Sequence, residues 1–331
     1  MQETNLYDNL KALNFKLKNV PELPEVETIV TDLNKKIKGL NIEKFWSDFP
    51  SAIKGATLLQ FQREMKSKKI LSAQRVGKNI FLNLSGGKSL HIHLRMTGHL
   101  LVKSNPPHPN PLLIKERERS IKSPSPYQGE GGRRPDEVDF FNDKVNQYIH
   151  HIWYLSKNKT LEFSDLRKFA TIRLLETKAL EKYLAEKKIG IDAMDANFNL
   201  AKFNQLLDAK PKMLIGIFLL DQSIISGIGN IYRSEILFSA GILPERKNES
   251  LKKDERKKIF LATKRILKLA IKMRGTSDSD YRDSDGAPGH FQKILKVYRK
   301  DKLPCSAKCG EKILRKKMAQ RSVFFCEKCQ K

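Results

Sequence analysis

Cysteine is absent until Pro304 has been passed: all four stand in the last twenty-seven residues of this 331-residue chain. No disulfide can tie the body together, and a reducing compartment suits such a chain. Also missing is any run of about eighteen apolar residues that could cross a membrane as a helix. The first twenty residues lack the apolar core and cleavage site of a secretory signal, and Glu3 and Asp8 argue against a transit peptide. A cytoplasmic protein is expected. Acidic residues are scarce too: 37 Asp+Glu face 63 Lys+Arg, a net charge of +26 spread over most of the chain. Such a field favours a polyanion, usually nucleic acid, over the bland alternatives of a merely basic or ribosome-associated protein.

The length predicts about two domains with real cores. Behind Pro24, which suits a first helical position, Val26, Ile29, Val30, Leu33, Ile37 and Leu40 recur at helical spacing. The positive end of that helix favours the nearby carboxylates. Ile80, Leu82 and Leu84, then Leu90, Ile92 and Leu94, alternate on either side of Ser85-Gly86-Gly87-Lys88, the pattern of a hairpin, with His91 and His93 on the opposite face. The first half therefore reads as one helix on an antiparallel sheet system. Residues 105–135 hold seven of the fourteen prolines and cannot form a packed element. They look like a translated repeat inserted into a surface loop; a functional flexible loop is the alternative. From about Ala179 the pattern turns helical, with helices expected over Met213–Leu220, Ile231–Ala240 and Arg256–Met273. Expected boundaries are an extension (1–20), a sheet domain (21–184), a helical domain (185–296) and a cysteine module (297–331).

Cys305-x3-Cys309, sixteen residues, then Cys326-x2-Cys329 supplies two close thiolate pairs, as one tetrahedral Zn2+ requires. A tail this short and polar can hardly fold alone, so the metal would supply its folding free energy. The competing reading is four free cysteines clustered by accident. Gly227-Ile228-Gly229-Asn230 lies between helical stretches, with Asn230 a good N-cap and glycines that let backbone N–H groups approach a phosphate. Alone, that motif is weak, and an ordinary helical corner explains it. Gly275 to Phe291 carries Asp278, Asp280, Asp283 and Asp285 in an otherwise basic chain. Phosphate would repel such a loop, so a base-facing lid is expected there, against the plainer reading of a solvated loop.

The run Pro21-Glu22-Leu23-Pro24-Glu25-Val26-Glu27 packs two prolines and three carboxylates into seven residues, poor interior structure that suggests a task other than packing. It resembles the mature amino terminus of bacterial formamidopyrimidine-DNA glycosylases. Asp221-Gln222, Gly227 to Asn230 and Ile231-Tyr232-Arg233-Ser234-Glu235 resemble the same family's helix-two-turn-helix. The likeness runs from Pro21 to Lys331 except across the Pro-rich insertion.

The resemblance implies an α+β fold: an N-terminal antiparallel β-sandwich with a flanking helix, a helix-two-turn-helix domain and a C-terminal zinc finger. It implies a DNA glycosylase and abasic-site lyase that removes oxidised purines, 8-oxoguanine and formamidopyrimidines, through a Schiff base on an N-terminal proline followed by β,δ-elimination. Implied catalytic residues are Pro21 as nucleophile, Glu22 moving protons at the sugar ring oxygen, Glu25 orienting the site, and Lys78 and Arg321 gripping phosphate. Implied DNA-binding residues are His93 and Asn230 at phosphates, Tyr232 and Glu235 of the same motif, and Met96, Arg167 and Phe169 as the wedge that fills the hole left by a flipped nucleotide. By burial statistics alone Met96 and Phe169 would be core. One structural Zn2+ on Cys305, Cys309, Cys326 and Cys329 is implied, as are double-stranded DNA with oxidised bases as partner, a monomer, no membrane, and a place at the bacterial nucleoid.

Departures from the family are the wider Cys-x3-Cys spacing, Gly216 in place of a lysine near the lesion, and Leu166 and Ala170 in place of a proline and a glycine. An α-amino group titrates near 8, about two units below lysine, so part of it is neutral and nucleophilic at pH 7. Bonded to Val20, the Pro21 nitrogen is an amide and attacks nothing. Val20 stands where the family has its initiator methionine, and some bacterial genes start at a codon that elsewhere means valine. Residues 1–20 are therefore expected to come from a start assigned too early. Two alternatives stay open: an endonuclease VIII-type glycosylase for oxidised pyrimidines, and a catalytically silent DNA-binding protein if the extension is retained.

Overall fold

The computed structural model describes residues 20–104, 140–277 and 280–331. Residues 1–19 of the extension, the Pro-rich stretch 105–135 and Asp278 lie outside them. Helix α1 (Leu23–Lys36) starts directly behind Pro21-Glu22, with Glu22 as its N-cap. Pro24 sits in the first turn, where its missing N–H costs nothing. The Glu25 carboxylate folds back to accept the Glu22 N–H at 2.9 Å, so the helix start and a pair of expected catalytic acids are one structure. Val26, Ile29 and Leu33 are fully buried, as their spacing predicts.

Strand β1 (Ile42–Ser47) and helix α2 (Leu58–Met65) precede the strands β2 (Ile70–Val76), β3 (Asn79–Leu84), β4 (Lys88–His93) and β5 (Gly98–Ser104). Past the insertion come β6 (Ile149–Leu155), β7 (Lys159–Asp165) and β8 (Thr171–Glu176). They form two antiparallel four-stranded sheets, ordered β1-β6-β7-β5 and β2-β3-β4-β8. The expected hairpin is β3–β4, with Ile80 opposite Ile92 and Leu82 opposite Leu90. Those residues share one core with Trp153, Leu161 and Phe163 of the other sheet and with α1, which makes the sandwich. Truncating a buried Leu of this kind to Ala costs about 2–5 kcal/mol. On the far face His91 is also buried, its ring stacked on Phe81 at 4.8 Å and bonded to the Tyr183 hydroxyl at 3.1 Å.

Tyr183 belongs to α3 (Leu180–Glu186), the first of the helices in the second half. A parallel two-residue pair, β9 (Ile191–Asp192) with β10 (Ile225–Ser226), brackets α4 (Leu200–Asp208) and α5 (Ile215–Phe218); α6 (Asn230–Ala240) and α7 (Lys253–Lys272) come next. Helix α4 had a legible start in Asn199, whose Oδ1 accepts the Lys202 N–H at 2.9 Å, but it is not among the expected helices. The helix expected over Met213–Leu220 shrinks to the single turn α5, because Leu214 is extended and bridged to Lys247, and Gly216 is a poor helix former. Helix α7 starts three residues before Arg256, its first turn stabilised by Asp254 and Glu255. The hairpin β11 (Leu314–Met318) and β12 (Arg321–Phe325) closes the chain.

Leu23, the first residue of α1, belongs to the core of the helical part, whereas Val26 onward belongs to the sandwich core. Its N–H donates to the Gly227 carbonyl at 3.0 Å. The amino end of α1 is thereby wedged into the junction of the two cores.

Candidate active site

At that junction opens a cleft of about 790 Å³. Glu22, Lys78, His93, Met96, Phe169, Asn230 and Arg321 line it, seven residues drawn from the sheet part, the helical part and the terminal hairpin. Five basic side chains line the cleft, Lys54, Lys78, Arg95, Lys168 and Arg321, against one carboxylate, Glu22. Its field therefore draws in an anion. Pro21 is buried beside Glu22, and Val20 lies on the cleft wall.

The Glu22 carboxylate lies on the amino end of α6, accepting N–H groups of Gly229 at 2.8 Å, Ile231 at 2.8 Å and Tyr232 at 3.3 Å. A side chain at Gly229 would put its Cβ 2.3 Å from the Glu22 Cδ, so only glycine lets the two segments meet. Glu25 lies one layer deeper: its Oε1 accepts the Tyr232 hydroxyl at 2.6 Å and the Thr276 N–H at 2.7 Å. Burial pushes Glu22 up from the usual carboxylate range, against the Lys78 charge and the three N–H groups. Burial, then the charge of Glu22, pushes Glu25 up to about 7, against the Tyr232, Thr276 and Glu22 donors. Both carboxyls are thus easier to protonate than free ones, and Glu25 titrates near neutrality.

Lys78 is the second residue of the β2–β3 turn, which Asp192 of β9 ties down by accepting the Gly77 N–H at 2.6 Å and Arg75 Nη2 at 3.2 Å. Burial lowers the Lys78 ammonium, helped by Arg321 and resisted by Glu22 and Glu25. His93 is pushed down to about 3, chiefly by burial and then by Arg95, so its ring is neutral. Its Nδ1 accepts the Arg95 N–H at 3.0 Å, which leaves the proton on Nε2 as a donor. Arg321 is exposed at the start of β12.

Met96 and Phe169 sit on neighbouring turns. Phe169 is 55% exposed, where burial statistics would have placed it in a core. Arg167 does not line the cleft; its Nη1 approaches the Met96 Sδ at 3.2 Å and its guanidinium lies 5.6 Å from the Phe169 ring centre. The three residues form one group. Replacing the proline and glycine by Leu166 and Ala170 does not free this loop, because Asp165 Oδ2 accepts the Ala170 N–H at 2.8 Å and Thr97 Oγ1 accepts the Arg167 N–H at 3.1 Å.

Several expectations need correction. Asn230 is the first residue of α6 and not its cap; Gly229 holds the cap position, and the N–H groups expected to face phosphate are taken by Glu22. Tyr232 and Glu235, expected at DNA, are 0% and 4% exposed. Tyr232 braces Glu25, and Glu235 accepts N–H groups of Lys296, Val297 and Tyr298, each at 2.9 Å, which steers the chain toward the cysteine module. The acidic loop is no open lid: Asp283 is paired with Arg274 and Asp285 with Lys36 of α1, and Asp280 is buried. Its described residues staple the two parts of the molecule together, while Thr276 and Tyr281 reach Glu25. Gly216 lies beneath the hairpin, with Met318 above it, and does not line the cleft. Asp192, Thr276 and Arg233 are the site residues that sequence reasoning passed over. Only a glutamate-to-backbone or cross-core contact reveals the first two, and such contacts leave no local pattern.

The four cysteine sulfurs lie within 4.8 Å of one another, with Cys305–Cys329 at 3.7 Å and Cys309–Cys326 at 3.5 Å. A tetrahedral ion with bonds of about 2.3 Å to sulfur separates its ligands by about 3.8 Å. The donor set therefore fits a metal, and the wider Cys-x3-Cys turn still brings its pair to one point. A second acidic group, Asp32 with Asp283 and Asp285, is already neutralised by Arg274 and Lys36.

Comparison with known proteins adds independent findings. The model of the formamidopyrimidine-DNA glycosylase N-terminal domain matches residues 20–172, and that of the same enzymes' H2TH domain matches 189–282. The formamidopyrimidine-DNA glycosylase of Pelotomaculum thermopropionicum is 34% identical over 94% of this chain and 99% of its own length. That of Carboxydothermus hydrogenoformans is 35% identical over 94% of this chain and all of its own. The structure of wild-type Lactococcus lactis Fpg with DNA containing N7-benzyl-Fapy-dG superposes with a TM-score of 0.74 at 29% identity, covering 94% of this chain and 99% of that one. A mutant of that protein bound to tetrahydrofuran-containing DNA gives a TM-score of 0.75 at 28% identity, with the same coverage.

Proposed function

The chain belongs to the formamidopyrimidine-DNA glycosylase family, and from that premise we propose that it excises oxidised purines from double-stranded DNA and cleaves the resulting abasic site. The names its relatives carry do not favour the endonuclease VIII reading. The observation that carries the proposal is the cleft beside Pro21: a cationic groove with one carboxyl, a neutral histidine and an exposed phenylalanine.

In this reading the Pro21 secondary amine attacks C1' of the damaged nucleotide as the base departs, and the product is an iminium that needs no added proton. Glu22, beside the proline and raised above the usual carboxylate range by burial, passes protons at the ring oxygen. Glu25 fixes the position of the Pro21–Glu22 segment through the Glu22 N–H. Lys78, His93, Asn230 and Arg321 hold the flanking phosphates, and Met96, Arg167 and Phe169 fill the vacated stack. Loss of the 3' and then the 5' phosphate by β- and δ-elimination stems from the acidity of the iminium's neighbouring carbon. Cys305, Cys309, Cys326 and Cys329 would hold one structural Zn2+, which would supply the folding free energy of the module that presents Arg321. We assign the sheet body (21–184, with 105–135 inserted) to chemistry, and 185–296 with 297–331 to DNA binding. The enzyme is proposed to act as a monomer in the cytoplasm; among the described residues no helix is long and apolar enough to cross a membrane.

The chemistry needs the Pro21 nitrogen as a free amine. Borohydride trapping on a duplex containing 8-oxoguanine tests it, with protein starting at Pro21 beside the full 331-residue chain. A covalent adduct is expected from the first and none from the second. Failure of the shorter protein to form any adduct would end the proposal.

A further inference from the structure

Among the described residues Arg233 is the largest charged side chain with no exposure at all, yet none of its hydrogen-bond partners is a carboxylate. Its Nη1 donates to the Gly216 carbonyl at 3.1 Å; Nη2 donates to Asn230 Oδ1 at 2.6 Å and to the Ser322 carbonyl at 3.0 Å. Nε has no partner among the described residues. Burial lowers this guanidinium to about 10, with Arg321 adding to the fall and Glu22 opposing it. A buried cation with no carboxylate bonded to it is costly, and one spread over three neutral acceptors does little for stability that an apolar side chain could not do better.

The three acceptors explain its place. They belong to α5, α6 and β12, and two of them sit at groups on the cleft wall: Asn230 itself, and Ser322 next to Arg321. An amide side chain can present either end, and the bonding network decides which. With Oδ1 held inward by a guanidinium, Asn230 keeps its NH2 for the cleft, the end that an acceptor-only phosphate needs. Gly216 makes room for the meeting, since a Cβ there would lie 2.7 Å from Met318 Sδ and 2.8 Å from the Pro244 carbonyl. We propose that Arg233 is a positioning residue that locks the Asn230 amide donor-outward and seats the Arg321 strand against it, so that one buried guanidinium sets two phosphate contacts. This inference rests on the DNA-binding function proposed for the chain.

The test is a double-mutant cycle on the full chain, reading the Kd for a duplex carrying a tetrahydrofuran abasic analogue, with Tm measured alongside. In the native background N230A is expected to weaken binding roughly tenfold, the size of one hydrogen bond to a charged group. In the R233M background the same substitution should cost less than about twofold, because the amide is no longer oriented. A merely structural Arg233 lowers Tm but leaves the factor for N230A unchanged, and that result overturns the inference alone. A native chain that does not bind the duplex overturns both it and the DNA reading. Should R233M fail to fold, R233A carries the same cycle with the same outcomes, since it too leaves Asn230 Oδ1 without its donor.

Discussion

Replacing Glu25 by Gln isolates the proton that folding places in this site. Folding moves the Glu25 carboxyl from 4.5 to about 7, first by burial and then through the charge of Glu22. Because the folded value lies above the unfolded one, the stabilisation is complete below pH 4.5 and is lost as pH rises through 7. The shift corresponds to about 3 kcal/mol, as a ceiling, and so to roughly 5 °C in Tm for a protein of this size. The amide of the E25Q variant cannot titrate. It carries a penalty of its own, since Tyr232, Thr276 and the Glu22 N–H all point donors at the carboxyl, but that penalty does not change with pH. The native protein should therefore be the more stable at pH 5, and the gap to E25Q should close by several degrees by pH 8. Calorimetric Tm values at four pH points measure it, and Glu22 is common to both proteins. A gap that stays constant to within a degree would show that Glu25 is already ionised in the fold, and the account of the buried acid pair would be wrong.

Phe169→Ala should leave stability within about 0.5 kcal/mol, since an exposed ring packs against little, while base excision in a single-turnover assay drops at least about tenfold. Equal loss of both would return Phe169 to the core. Gly229→Ala should destabilise by about 1–3 kcal/mol and abolish trapping, because the new methyl displaces Glu22; denaturant unfolding and adduct yield report the two effects. Metal analysis should find one zinc per chain. Chelation should release the hairpin packed through Met318, Val323 and Phe325, and weaken DNA binding with a salt slope shallower by about 0.9 for the lost Arg321 contact. His93, neutral because burial holds it near 3, should leave the salt dependence of binding the same at pH 6 and pH 8; a steeper slope at pH 6 would show a charged ring.

Local pattern made α1, the β3–β4 hairpin and the cysteine cluster legible, because each is a period or a spacing that needs no partner from elsewhere in the chain. The strand orders of the two sheets were not, since β5 pairs with β7 and β4 with β8 across the insertion. The acidic loop is illegible for a related reason. Its sequence shows the charges but not their partners, which are Arg274 and Lys36. Phe169 and Met96 became site residues only through resemblance; their residue types alone point to a core. Arg233 was visible in the motif but silent, because nothing local says that an arginine one turn into a helix will be buried.

The amino end of α6 shows why motif and site need not coincide. A glycine-rich turn opening a helix reads as an anion site, and it is one, but the anion it holds is Glu22. With those N–H groups committed, a phosphate in the cleft must be met by side chains: by the five cations, the neutral His93 and the amide of Asn230. The arrangement separates two tasks that one helix dipole could not serve together. A phosphate on the N–H groups would have to displace Glu22 and carry the adjoining proline away from the cleft. Fixing the carboxylate there instead holds Glu22 and Pro21, the proposed acid and nucleophile, at the junction of the two cores, and leaves the proposed DNA contacts to side chains that can adjust without moving either.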